Sequence, residues 1–194
     1  IVDAAGDVVT EGSSAGTDEV RTALTAYTLE TFFENLTHTG GANFSGTGNG
    51  ENNSIIGGTG ADTLDGLAGA DTLVGGQGDD VYLVEDIADV VTEASGEGSD
   101  AIITTLSSFS LAGYDNVETL IYWGEMDLRA TGNALDNLLV GNTQDDTFIG
   151  GLGSDTMDGG ADGLDTVDYS AMAGVSVNLA SNTAGGAAAG DRFR

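Results

Sequence analysis

The chain repeats a nine-residue pattern. From Gly57 the blocks read GGTGADTLD, GLAGADTLV and GGQGDDVYL, and a degenerate block, GNGENNSII, precedes them at 48–56. The pattern returns as GNALDNLLV (132–140), GNTQDDTFI (141–149) and GGLGSDTMD (150–158), followed by a ten-residue variant, GGADGLDTVD (159–168). Position 6 is Asn53, Asp62, Asp71, Asp80, Asn137, Asp146 and Asp155, with Asp165 after the insertion. Position 8 is Ile55, Leu64, Leu73, Tyr82, Leu139, Phe148, Met157 and Val167. A unit this short buries its apolar residue only by stacking on its neighbours, so the period predicts a solenoid.

A longer repeat encloses the short one. DVVTE occurs at Asp7–Glu11 and again at Asp89–Glu93, and TGN at 47–49 and again at 131–133. TDEVRTALTAYTL (17–29) aligns with SDAIITTLSSFSL (99–111), and ENL (34–36) with ETL (118–120). The expected division is a first long unit over 1–83, with β-rungs at 1–47 and nonapeptides at 48–83. A second unit over 84–168 has β-rungs at 84–131 and nonapeptides at 132–168, and a further segment starts at 169–194. The sequence reads as an excerpt from a longer array of such units.

Charge narrows the partners. Lys+Arg is 4 against 32 Asp+Glu, a formal net charge of −28. Such a chain repels itself unless cations neutralise it. It lacks the basic residues that nucleic acid or an anionic membrane requires, so neither is an expected partner. Acidic chains are often disordered, but 40% apolar content in regular spacing and the absence of proline point to a fold that forms with the right cation and not without it. No cysteine is present, which excludes disulfides and thiolate metal sites. No stretch is long and apolar enough to span a membrane, and IVDAAGDVV lacks the regions of a cleaved signal peptide.

The consensus G-G-x-G-x-D-x-U-x resembles the repeats-in-toxin (RTX) family of calcium-binding repeats. The intervening DVVTE…GSD…SLAGYDNVETL is similar to segments found between RTX blocks in large secreted bacterial proteins, and DTVDYSAMAGVSVNLASNTAGG to another RTX variant. The resemblance implies an all-β fold, a parallel β-roll or β-helix with right-handed stacked rungs. It also implies several bound Ca2+ ions, and export unfolded through a type I secretion channel to an extracellular or cell-surface location.

On that fold each nonapeptide is half a rung. Its last three residues form a short strand with position 8 inward, and its first six form a turn in which glycines permit positive φ. Turns on one side then recur at every second block, setting Asp62 over Asp80 and Asn53 over Asp71. Calcium takes six to eight oxygens from carboxylates and carbonyls. Position-6 aspartates on successive turns, with the unobstructed carbonyls of Gly57, Gly60, Gly75 and Gly78, are the expected ligands. Magnesium is less suited, and zinc and copper lack ligands in a chain with one histidine. The best site is expected at Asp62 and Asp80. Asn53 and Asn137 supply only neutral oxygens and weaken the sites with Asp71 and Asp155. GNALDN and GNTQDD lack glycines at positions 2 and 4, so the second block is expected to bind more weakly. The inserted residue sets Asp165 one position beyond the strict count from Asp146. Asp65 and Asp79 lie outside the scheme.

Runs such as VYLVED, AIITTL and VETLIYW predict further parallel rungs. Phe32, Phe44, Tyr122 and Trp123 are expected in the core or as caps, and His38 in a solvated loop. No H-E-x-x-H, G-x-S-x-G or phosphate-binding loop occurs, so no catalytic residue is assigned. The expected role is structural: a spacer, adhesin, surface-layer or filament component of a secreted protein, contacting neighbouring repeats of its own chain. Self-assembly and cell-surface polysaccharide are further candidate partners. An accessory module of a secreted hydrolase or polysaccharide epimerase, and a carbohydrate-binding module, are the alternatives.

Overall fold

The computed structural model describes residues 1–13, 16–172, 176–178, 183–185 and 192–193. Most of the tail at 169–194, expected to begin another repeat, lies outside these. The chain divides into two compact units, Ile1–Asp100 and Ala101–Arg194. The division falls after the turn at 93–100, which still stacks on the first nonapeptide block.

The fold is all-β, a parallel β-solenoid. In the first unit, β1 (Glu19–Thr22), β3 (Asn35–His38), β5 (Ser54–Thr59), β7 (Thr72–Gln77) and β9 (Val90–Thr92) form one parallel sheet. The opposite sheet takes the alternate strands β2 (Ala26–Thr28), β4 (Ser45–Asn49), β6 (Thr63–Leu67) and β8 (Val81–Val84). In the second unit, β10 (Ala101–Thr104), β12 (Thr119–Tyr122), β14 (Leu138–Val140) and β16 (Thr156–Asp158) pair in parallel. Facing them are β11 (Ser108–Ser110), β13 (Arg129–Thr131), β15 (Thr147–Ile149) and β17 (Thr166–Val167). A single 3-10 turn, Leu111–Gly113, follows β11. The tail adds β18 (Ser176–Asn178) and β19 (Thr183–Gly185), paired antiparallel, and β20 (Arg192–Phe193), which runs parallel to β16.

Alternation along each strand puts one residue of every rung inside. Val20, Leu36, Ile55, Leu73 and Val91 are direct register partners in succession and all buried. In the second unit a file of its own reads Ile102, Leu120, Leu139 and Met157. Each buried aliphatic or aromatic side chain contributes about 1.5–3 kcal/mol, and the contribution is realised only by stacking. Seven of the eight position-8 residues named above are buried; Val167, beside the insertion, is half-buried. In the long-unit rungs Phe109 and Phe148 sit on either side of Ala130 in register, small beside large.

The structure departs from the expected pattern in three places. Strands β5 and β7 extend beyond positions 7–9 into the following turn, where Gly58 pairs with Gly76 and Thr59 with Gln77. His38 is buried rather than solvated, stacked on Phe44 at 4.5 Å, with Nδ1 3.0 Å from the Gly57 carbonyl oxygen. Phe44 stands one turn beneath Asp62, whose Oδ1 accepts its N–H at 2.8 Å, so the imidazole packs on a ring there. Trp123 is 65% exposed and Phe32 37%, whereas Phe44 and Tyr122 are buried as expected. Trp123 follows the inward Tyr122 at the end of β12, so alternation turns it outward.

Candidate metal centre

Stacking every second turn brings the position-6 side chains into a file. The Asp62 N–H donates to Asp80 Oδ1 at 2.7 Å, and the Asn53 N–H to Asp71 Oδ1 at 2.7 Å. In the second unit the Asn137 N–H donates to Asp155 Oδ1 at 2.9 Å. Asp165, despite the inserted residue, accepts from the Asp146 N–H at 3.0 Å. The extra residue is taken up in the turn, where Asp162 and Gly163 both adopt positive φ, 67° and 78°. Asp165 itself is exposed. Each position-6 carboxylate thus holds the backbone of the rung before it. Position 5 runs the opposite way: Asn52 accepts from the Ala70 N–H (3.0 Å), Asp79 from Ser99 (2.9 Å) and Asp136 from Ser154 (2.7 Å). Asp79, which the repeat pattern left unassigned, belongs to this second ladder. Asp65 accepts locally, from the Leu67 N–H at 2.9 Å.

One oxygen of each position-6 carboxylate serves the ladder. The Oδ2 atoms of Asp62, Asp71 and Asp80 are buried without a hydrogen-bond partner. Such a group costs free energy unless a cation or proton meets it. Burial pushes the Asp71 carboxyl up to about 6, with backbone hydrogen bonding from Asn53 opposing and the negative charge of Asp89, Asp65 and Asp86 adding. Burial also pushes Asp80 up to about 6, with the charges of Asp62, Asp100 and Asp79 adding to it. Asp62 and Asp146 are raised too, first by burial. The sequence holds no Lys or Arg between Arg21 and Arg129, so no basic side chain of that stretch neutralises these carboxylates.

The glycines have two distinct jobs. Position-1 glycines make room for their own block's position-6 side chain: a Cβ at Gly57 would collide with Asp62 Oδ2, and one at Gly75 with Asp80 Oδ2. Glycines at positions 2 and 4 lie against carbonyls of the preceding turn. A Cβ at Gly76 would collide with the Gly58 carbonyl oxygen, and one at Gly78, whose φ is 127°, with that of Gly60. Carbonyls of one turn therefore point at the turn above it, beside the unpartnered carboxylate oxygens. Buried carboxylate oxygens and carbonyls are the hard donor set that calcium requires, and the residues present fit it. Asp62, Asp71 and Asp80, with carbonyls such as those of Gly58 and Gly60, would hold such ions. A bound ion would supply the positive charge that the turns lack.

The asparagines behave differently. Asn53 Nδ2 donates to the Phe33 carbonyl at 3.0 Å, and Asn137 Nδ2 to the Val117 and Glu118 carbonyls at 3.3 Å each. Position-2 asparagines add to this: Asn49 donates to Glu30 and Phe33, Asn133 to Tyr114 and Val117, and Asn142 to Gly124 and Met126. In these turns amide N–H groups meet carbonyls of the rung beneath.

Sequence reasoning ended the first block at residue 83 and missed its continuation. Asp89 falls two nonapeptides beyond Asp71 and accepts the Asp71 N–H at 3.0 Å. Asp100 accepts the Asp80 N–H at 2.8 Å from slightly further along the chain. Glu93 joins Asp80 and Asp100. The unbroken two-block count from Asp71 to Asp89 was the available signal.

A parallel β-solenoid whose glycine turns stack buried, unpartnered carboxylate oxygens defines a cation-binding repeat protein. Residues 47–82 and 131–163 match the family described as RTX calcium-binding nonapeptide repeat (4 copies). Over these residues the chain is similar to the calcium-binding repeats of that family. No curated protein and no solved structure was found to match it. Among the described residues no helix is long and apolar enough to cross a membrane.

Proposed function

We propose that this chain is a non-catalytic structural region of a secreted bacterial protein, folded by calcium outside the cell. The observation that carries this reading is the file of buried carboxylate oxygens without hydrogen-bond partners at Asp62, Asp71 and Asp80. In low cytosolic calcium their mutual repulsion keeps the chain unfolded and competent for a type I secretion channel. In millimolar extracellular calcium, binding free energy becomes folding free energy. The product is a stiff spacer within a surface layer, adhesin or filament, stacked on further repeats of its own chain. Circular dichroism of the whole chain during a calcium titration tests this. A coil-to-β transition at roughly sub-millimolar to millimolar calcium is expected, with magnesium far less effective. A β-spectrum that persists unchanged in excess chelator would refute it.

A carbohydrate-binding role is the second reading, and the outward indole of Trp123 favours it. An exposed aromatic face stacks on sugar rings, so glycan-array binding that disappears in Trp123→Ala supports this reading, and an array without hits removes it.

A further inference from the structure

The turn at 93–100 closes the first nonapeptide block and departs from the repeat in two ways. Glu93 falls two nonapeptides after Gly75, where the repeat has its position-1 glycine. Asp100 falls two positions later than the same count from Asp80 would place it. One carboxylate oxygen each from Asp80, Glu93 and Asp100 lies within 4.8 Å of the others. Asp80 and Asp100 are 1% exposed, and Glu93 Oε2 is buried although the residue reaches the rim.

Two further observations point to a ligand. Asp80 Oδ1 is taken by the Asp62 N–H, but its Oδ2 is buried and without a hydrogen-bond partner. That oxygen and the Tyr82 hydroxyl both converge on the place a Cβ of Gly75 would occupy, and the same hydroxyl donates to Glu93 Oε1. Tyr82 Oη in turn accepts the Gly75 N–H at 2.8 Å, which fixes the phenol and so the glutamate. Independently, the Gly78 carbonyl points into the closing turn, since a Cβ at Gly98 would collide with its oxygen. Three carboxylates and a carbonyl, with no Lys or Arg in the sequence from 22 to 128, make a hard oxygen pocket of triple negative charge.

We propose that Asp80, Glu93 and Asp100 form a calcium site that shares Asp80 with the first array, ends it, and binds more tightly than the two-carboxylate interfaces within it. It rests on the calcium-folding reading above. Ligand charge count tunes calcium affinity, and this site has one carboxylate more than the Asp62–Asp80 interface. Glu93 holds the ion at the last turn, where no further nonapeptide of this block stacks. DVVTE and GSD are thereby the two halves of a closing clamp.

The test is calcium titration of the whole chain by calorimetry and circular dichroism, comparing wild type with Glu93→Gln, Asp100→Asn and, as a charge control on an exposed residue, Glu85→Gln. Both isosteric exchanges keep an oxygen to accept from Tyr82 or Asp80. The tightest calcium-binding event is expected to weaken about tenfold or vanish in Glu93→Gln and Asp100→Asn. It should be unchanged in Glu85→Gln. In chelator the same two variants are expected to show residual β-structure equal to or above that of wild type, because a repelling charge has gone. A purely structural role predicts losses in both conditions, and that result overturns the proposal. So does a wild-type profile in Glu93→Gln. If Glu93→Gln does not fold at saturating calcium, Glu93→Asp decides: regained folding with tight binding supports the site, and failure of both overturns it. A wild type that binds no calcium would instead remove the folding reading itself.

Discussion

The nonapeptide blocks at 48–83 and 132–168 share a consensus and differ in what their turns rest on. In the first block the turn 75–80 stacks on 57–62, both with glycine at positions 2 and 4, and Gly58 and Gly60 carbonyls face Gly76 and Gly78. In the second, turns 150–155 and 159–165 stack on GNALDN and GNTQDD, whose own position-4 residues are Leu135 and Gln144. GNALDN and GNTQDD themselves rest on the longer loops ending at 118 and 127, which they meet with asparagine amides. The opening turns 48–53, 132–137 and 141–146 are thus sealed by asparagine N–H donors, whereas the opening turn 57–62 is glycine-rich. The continuing turns 66–71, 75–80, 150–155 and 159–165 each keep glycine at position 2 or 4 and meet the turn before through a position-6 aspartate. Departures from consensus mark position in the stack, which is a different matter from decay of the motif.

The same repeat position can therefore be indispensable or free. At position 4, Gly78→Ala places a methyl against the Gly60 carbonyl at φ 127°, whereas the opening turns carry Glu51, Leu135 and Gln144 there. Gly78→Ala is expected to cost about 3–5 kcal/mol and to abolish folding of the first unit even in saturating calcium. Glu51→Ala, at the same position of the opening turn and exposed, should stay within about 0.5 kcal/mol of wild type. Denaturant unfolding of the two variants in calcium makes the comparison, and equal losses would undo the distinction between opening and continuing turns.

Exchanging the chemistry of the two turn types is the next largest test. Asn137→Asp removes donors to the Val117 and Glu118 carbonyls and adds a charge against them. A loss of about 2–3 kcal/mol is expected in sub-saturating calcium, and saturating calcium should recover part of it. The converse, Asp62→Asn, keeps the oxygen that accepts the Phe44 N–H. It should raise the calcium midpoint about tenfold, near 1.4 kcal/mol, while increasing residual β-structure in chelator. If both exchanges shift the midpoint alike, the amide seal is not a substitute for a cation.

Much of this was legible because one residue per period carries each function. The apolar file at position 8 and the acidic file at position 6 follow from counting, and the two-block spacing pairs Asp62 with Asp80 and Asn53 with Asp71 before any coordinate. The role of Gly57 and Gly75 was only half legible, since room for a block's own aspartate is a contact between positions 1 and 6 that depends on the turn's curl. Glu93 and Asp100 were missed because the closing turn substitutes the first glycine and lengthens the turn, which hides them from a nine-residue count. His38 and Trp123 were misplaced because nothing in their neighbourhood repeats, so their environment depends on where the longer rungs bend.

Protons offer a weaker probe of the same contrast. The Asp71 and Asp80 carboxyls sit at about 6 in the fold against an ordinary 3.8. The folded chain therefore holds these protons more tightly than the unfolded one, so stability in chelator is fullest below pH 3.8 and is lost as pH rises through 6. Calcium competes for the same oxygens, so its apparent affinity should fall as pH drops below 6. Circular dichroism of the whole chain in chelator is expected to show more residual β-structure at pH 5 than at pH 7.5. More β-structure at pH 7.5 would mean that these carboxylates are stabilised without metal by something other than protons.

The smallest expected difference lies at position 5. Asp79 and Asp136 do the same work, each accepting the backbone N–H of the next turn, at 2.9 Å from Ser99 and 2.7 Å from Ser154. Asp136→Ala should cost about 0.5–1 kcal/mol, the ordinary worth of one hydrogen bond. Asp79 stands beside Asp80 and helps to raise it, so its removal also relieves repulsion. In sub-saturating calcium Asp79→Ala is therefore expected to cost less than Asp136→Ala, and in saturating calcium the two losses should converge, because a bound ion already cancels that repulsion. A gap that is the same in both conditions would show that the extra charge of the first block is not what separates it from the second.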